Sequence, residues 1–184
     1  WRRPRSKASV RAAMSGRVED GPVRSMILDG PGSPLRPAQL ADPRPGPGEV
    51  LVEVRACGVC RTDLHIRDGE LTPGHTPLVC GHQIVGTVIG GEGHEPGARV
   101  GIPWLGWTCG ECRYCRSGRE NLCDAPGFTG CTRDGGFASH LLAEAAFTVT
   151  LEPGCDPAAN APLLCAGLIG WRTLKLAGGG RPVG

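Results

Sequence analysis

Apolar and polar positions change rhythm several times along the chain. Over Glu49–Arg55 the valines at 50, 52 and 54 share one face, with Glu53 and Arg55 among the other. That period of two marks a half-buried strand. Gln83–Ile89 and Ala98–Pro103 are further apolar, β-branched runs bounded by glycine, and Gly136–Leu151 has room for two more strands. Met26 opens a first short strand, followed by a connector rich in proline (Pro31, Pro34, Pro37, Pro43, Pro45, Pro47). Asp156 with Pro157 is a helix-start signal, although Pro162 blurs the start itself. Leu163–Ala177 predicts a helix closed by Gly178–Gly180. The pattern predicts a mainly β fold with some α: a partly open barrel, long loops and one late helix.

Composition sharpens this picture. Gly 30 and Pro 17 among 184 residues, without a collagen period, suit strands joined by many turns. A hydrophobic share of 40% excludes general disorder. No apolar run approaches the roughly 18–20 residues that cross a membrane. Charge is uneven. Residues 1–25 hold seven basic and two acidic groups, a local +5 in a chain of net +2. We read this head as an upstream extension rather than an arm for nucleic acid or membrane, since the chain begins at Trp1 and Met26 opens the first strand. No apolar stretch of a secretory signal follows the arginines. The expected compartment is therefore the reducing cytoplasm. Ten cysteines there point to metal rather than to disulfides.

The strongest chemical signal is Cys109-x2-Cys112-x2-Cys115-x7-Cys123. Four thiolates on a short loop wrap one ion tetrahedrally, with Zn–S bonds of about 2.3 Å. A ferredoxin-type cluster is the nearest rival, but its run ends C-x3-C-P. Here the last spacing is seven and Asp124 follows. A closed four-cysteine site leaves no open position, so it staples a loop rather than performing chemistry.

A dispersed set is weaker residue by residue: Cys60 in ACGVCRTDLH, His82 in CGHQIVG and Cys165 in LLCAGLIG. A lone cysteine on an apolar helix is more often core. Together the three supply two thiolates and an imidazole, the donor set of a catalytic zinc with its fourth position open.

Read in order, GVCRTDLH, GH with an amide after it, the four-cysteine lobe, DGGFA and APLLCAG resemble the zinc-dependent alcohol dehydrogenases of the medium-chain dehydrogenase/reductase superfamily. The match runs from about residue 26 to 177. The resemblance implies a GroES-like domain and a set of roles. Cys60, His82 and Cys165 match the catalytic zinc ligands, and Cys109, Cys112, Cys115 and Cys123 the structural zinc ligands. Thr62 matches the hydroxyl that meets the substrate oxygen, and His65 the outer member of a proton relay. Asp63 matches a carboxylate that orients the ligand histidine, Arg61 a contact to the cofactor pyrophosphate, and Trp104 a wall of the substrate pocket. Simpler readings stand beside these: Thr62 and Asp63 as a helix cap, Arg61 as a solvated arginine, Trp104 as plain core. Gln83 departs from the family, where many members carry Glu. Cys57, Cys80, Cys131 and Cys155 match no family role and are read as small packed thiols.

The implied function is oxidation of an alcohol to an aldehyde or ketone, a zinc-polarised alkoxide passing hydride to NAD(P)+. The implied cofactors are two Zn2+ per chain and, in the full-length enzyme, NAD(P). The implied partners are a small alcohol or aldehyde, with no nucleic acid and no membrane, and a homo-oligomer at full length. The expected organisation is a basic extension over 1–25, a GroES-like zinc-binding domain over 26–157, and a connecting helix over 158–184 leading toward a Rossmann domain. The Gly178-Gly179-Gly180 run is not the G-x-G-x-x-G fingerprint of that domain. The 184 residues by themselves are therefore expected to bind zinc without turnover. Alternatives are another zinc medium-chain reductase or polyol dehydrogenase, or a zinc-binding module without catalysis.

Overall fold

The computed structural model describes residues 23–178. The basic head before Val23 and the glycines after Gly178 lie outside the described residues. β1 (Val23–Leu28), β2 (Arg36–Leu40) and β3 (Glu49–Gly58) lead into helix α1 (Arg61–Asp68). β4 (Leu78–Val79), β5 (Gln83–Gly91), β6 (Arg99–Ile102) and β7 (Leu105–Trp107) follow. The cysteine-rich lobe holds α2 (Arg113–Arg116) and a 3-10 turn over Glu120–Leu122. β8 (Gly127–Phe128), β9 (His140–Glu144) and β10 (Val149–Thr150) complete the sheets. The chain ends in α3 (Pro157–Asn160), a 3-10 turn over Ala161–Leu164 and α4 (Ala166–Leu176).

Every strand pair is antiparallel. The largest sheet runs β10-β6-β5-β3-β9, with three-stranded β2-β1-β4 and two-stranded β7-β8 beside it. Two apolar cores result. Val50, Val52, Ile84, Val88, Val100, Ile102, Leu141 and Ala143 fill the large sheet. Leu28, Ile66, Leu78, Cys80 and Cys131 form a second core under α1, with Trp104, Phe128 and Phe137 packed against it. Alternation in β3 buries Val50 and Val52 completely, as its period predicts.

Four details differ from the sequence pattern. β1 begins at Val23, three residues before Met26, and Val23 pairs with Leu40. β2 runs through the proline-rich connector. Pro37 is accommodated because β2 is an edge strand with one neighbour. α1 is a second substantial helix, so the late helix does not stand alone. It is eight residues long with only Asp63 and Ile66 buried, too short for an apolar stripe to register. The late helix is also broken: Cys165, at φ −132° and ψ −72°, separates the 3-10 turn from α4. α4 packs no buried residue, and Leu168, Ile169, Trp171, Leu174 and Leu176 stand exposed on it.

Candidate metal centres

The register of the large sheet explains how distant residues meet. β3 and β5 pair up to Gly58 opposite Gln83. Cys60 follows the end of β3 and His82 precedes the start of β5, so both emerge at one end of the same ladder. Gly58 leaves room there for the Gln83 side chain, whose Oε1 would lie 2.7 Å from an added Cβ. The third partner arrives from the other side. Leu164 packs over Gly101 of β6, where a Cβ would come within 2.8 Å of it, and Cys165 follows directly. The donor atoms of Cys60, His82 and Cys165 lie within 4.8 Å of one another. The two sulfurs are 3.9 Å apart.

His82 is fully buried and its orientation is fixed. Asp63, itself buried, receives three donors: Cys60 N–H at 2.8 Å on Oδ2, Gly81 N–H at 3.1 Å and His82 Nδ1 at 3.2 Å on Oδ1. With Nδ1 donating to Asp63, Nε2 is the ring nitrogen left to offer a lone pair. Asp63 is also the third residue of α1, and its bond to Cys60 N–H closes the start of that helix. Oδ2 of Asp63 thus meets the start of the helix while Oδ1 meets His82 Nδ1. Trp104 meets His82 edge to face, with ring centroids 5.0 Å apart, and stacks on Phe128 at 4.8 Å. It therefore packs both against the second core and against His82.

The backbone at His82 is clamped by main chain. Gly81 has φ +98°, a left-handed conformation suited to glycine. Gly135 presses on it so closely that a Cβ there would lie 2.1 Å from Gly81 O. Gly136 N–H donates to the same oxygen at 2.9 Å.

Thr62 places Oγ1 3.8 Å from Cys60 Sγ. His65 lies one turn later on the same face of α1, and its Nδ1 contacts Glu70 Oε2. Arg61 is exposed at the first turn of α1. Glu70 escaped the sequence reading, since nothing in its local pattern singles it out. It reaches His65 because α1 ends at Gly69 in a left-handed turn, returning Glu70 N–H to the His65 carbonyl at 2.8 Å.

Electrostatics favour a cation between these donors. Desolvation raises the Cys60 thiol, but the Thr62 N–H and hydroxyl, with His82 and Cys165, outweigh it and leave the pKa lowered. Cys165 is pushed up to about 11 by desolvation and then by the Cys60 charge. Burial opposes charge on His82, yet the Asp63 hydrogen bond and charge, with Cys60, raise its pKa. Two sulfurs this close do not both ionise without positive charge beside them.

The second group is Cys109, Cys112, Cys115 and Cys123, again with ligand atoms within 4.8 Å. Cys112–Cys115, Cys109–Cys123 and Cys109–Cys115 sulfurs are 3.5, 3.5 and 4.0 Å apart. A disulfide needs about 2.05 Å. Four sulfurs at about 2.3 Å from a tetrahedral ion would be separated by about 3.8 Å. The measured spacings suit the ion. Backbone N–H groups of Cys109 and Ala125 point at the Cys123 sulfur, that of Cys112 at Cys109, and that of Cys115 at Cys112, all at 3.4–3.5 Å. Donors aimed at sulfur favour thiolate. Accordingly Cys112 is pushed down to about 6, first by the Cys115 and then by the Asp124 N–H. Cys80 and Cys131 are buried thiols of the second core, and Cys57 packs beside Gly81 and Gly136.

Among the described residues, no helix is long and apolar enough to cross a membrane. The family described as "Alcohol dehydrogenase GroES-like domain" matches residues 46–153. "Probable alcohol dehydrogenase AdhA" of Mycobacterium tuberculosis (strain CDC 1551 / Oshkosh) is 47% identical over 161 residues, covering 80% of this chain and 46% of its own. The cobalt- and zinc-bound thermostable alcohol dehydrogenase of Pyrobaculum aerophilum superposes with a TM-score of 0.76 at 28% identity, covering 85% and 49%. Acetophenone reductase of Geotrichum candidum in complex with NAD gives 0.74 at 32%, covering 89% and 49%. The chain spans just under half the length of these relatives.

Proposed function

The chain belongs to the alcohol dehydrogenase GroES-like domain family of the zinc-type medium-chain dehydrogenases, and from that premise we propose that it is the metal-holding catalytic part of an enzyme that oxidises an alcohol to an aldehyde or ketone with NAD(P). One observation carries the reading: donors from three separate segments, Cys60, His82 and Cys165, converge within 4.8 Å. Two thiolates and one imidazole fit a zinc with its fourth position open. Cys60 Sγ, His82 Nε2 and Cys165 Sγ would hold that ion. Cys109, Cys112, Cys115 and Cys123 would hold a second, closed one that braces the lobe. When bound at the first site, zinc supplies a Lewis acid for an alcohol oxygen, and the nicotinamide supplies the hydride acceptor.

The chain's own residues do the rest. Asp63 Oδ1 keeps the proton of His82 on Nδ1, so that Nε2 stays free to ligate. Trp104 and Phe128 close one side with aromatic surface and keep water from the buried histidine. Thr62 Oγ1, beside Cys60, takes the substrate proton, and His65 on the same face of α1 relays it outward. The His65 side chain is one-third exposed, and Glu70 holds its Nδ1. Arg61, exposed at the start of α1, is the cation for a cofactor phosphate.

Metal analysis tests the reading. The purified chain should carry two zinc ions, and Cys165→Ser and Cys112→Ser should each lose one. Unchanged zinc content in both variants overturns it.

A further inference from the structure

The turn after α1 delivers Glu70 to His65 by main chain and side chain together. Gly69 takes φ +84°, which folds the chain back onto the helix. The Glu70 and Leu71 N–H groups then both donate to the His65 carbonyl, at 2.8 and 3.1 Å. A second turn braces this one. Gly32 N–H donates to the Arg67 carbonyl at 2.6 Å, and Pro31 lies against Gly69, where an added Cβ would sit 3.1 Å from the proline Cβ. The Glu70 side chain meets His65 Nδ1 through Oε2. Asp68, the other carboxylate at this end of the helix, is taken by Arg67 Nε at 2.7 Å. An ionised carboxylate only accepts, so the proton between His65 and Glu70 belongs to Nδ1. Nε2, across the ring, is then the nitrogen with a free lone pair.

We propose that Glu70 is a positioning residue for proton transfer: by holding the Nδ1–H of His65, it fixes the tautomer in which Nε2 can accept the proton that Thr62 passes on. The inference deepens the relay proposed above and rests on it. Thr62 and His65 stand one turn apart on one face of α1. With Glu70 they form a hydroxyl–imidazole–carboxylate series, in which the carboxylate sets the tautomer and orientation of the ring. Without Glu70, the Nε2–H form that a free histidine favours in water presents a donor where an acceptor is needed. The His65 side chain is 33% exposed and that of Glu70 58%, so the outer end of the series stands in water.

The test reads the tautomer itself. The 184-residue chain, loaded with zinc and labelled with 15N and 13C in histidine, is compared with Glu70→Ala and Asp68→Ala by NMR. Spectra are taken at about pH 8, above the ordinary histidine pKa of about 6.5. The His65 signals are identified by their loss in His65→Asn. Wild type should hold His65 mainly as Nδ1–H. Glu70→Ala should shift the ratio of the two forms toward Nε2–H by about 3-fold or more, the size expected of a charged pair partly open to water. Asp68→Ala should leave the ratio unchanged. Glu70 is more than half exposed, so alanine removes little packing there. An unchanged ratio in Glu70→Ala, or a wild-type His65 held mainly as Nε2–H, overturns the proposal. An equal shift in Asp68→Ala points to the general field at the helix end rather than to this contact, and also overturns it. A chain that carries no zinc at the Cys60–His82–Cys165 centre refutes the metal reading instead, and with it the relay that Glu70 would serve.

Discussion

Asp63→Asn separates the carboxylate's charge from its shape. Three donors converge on the two oxygens of Asp63, from Cys60 N, Gly81 N and His82 Nδ1. Asparagine offers one oxygen and one NH2. With its oxygen in the Oδ1 position, the NH2 confronts Cys60 N–H; reversed, it confronts Gly81 N–H and His82 Nδ1. At least one N–H is orphaned either way, at a cost of about 1–3 kcal/mol where it is buried. For a domain of this size each kcal/mol lowers Tm by about 2–4 °C. Reversal also frees His82 to carry its proton on Nε2, which blocks ligation. Zinc affinity at the Cys60–His82–Cys165 centre should therefore fall about 10–100-fold. Thermal melting without metal reads the first effect and chelator competition the second. The four-cysteine centre should keep its zinc and so serves as an internal control. A variant with both the parental melt and the parental affinity would refute the assignment of Asp63 as the group that sets the histidine.

Gly81→Ala should lower the unfolding free energy by about 1–2 kcal/mol or more, read as a lower urea midpoint, because φ +98° is strained for alanine and its Cβ would meet Phe137 at 2.7 Å; an unchanged midpoint sinks the clamp argument. Burial pushes Cys57 and Cys80 from 9.0 up to about 12. The folded state thus holds these protons more tightly, so their contribution is intact below pH 9 and is lost as pH rises toward 12. Urea titrations across that window should show the decline, and Cys57→Ala with Cys80→Ala should flatten it. The 184-residue chain loaded with zinc should not reduce NAD+ or NADP+ with alcohols in a spectrophotometric assay, and robust turnover would contradict that expectation.

Period-two alternation makes β3 legible, and the glycine-bounded runs make β5 and β6 legible, because burial on a sheet leaves a local trace. α1 leaves almost none: its buried face is two residues, one of them a carboxylate. β2 is masked by proline, whose missing N–H does no harm on the unpaired side of an edge. The four-cysteine lobe is readable from spacing alone, since its cysteines share one loop. Cys60, His82 and Cys165 are each ambiguous in isolation; antiparallel register and the packing of Leu164 on Gly101 bring them together, and neither is written in any single segment. Glu70 carries no local signature, because it meets His65 only through the turn that ends α1.

The main-chain clamp around His82 has a consequence for protein engineering. Where Gly130 and Gly135 press directly on the Gly81 backbone, there is no side chain to shrink, swap or compensate, so tolerance is all or none. Variant libraries that randomise 79–82 or 130–137 will return mostly dead clones. Diversity is better spent at Gly90 and Gly154, where an added Cβ meets nothing within 4 Å.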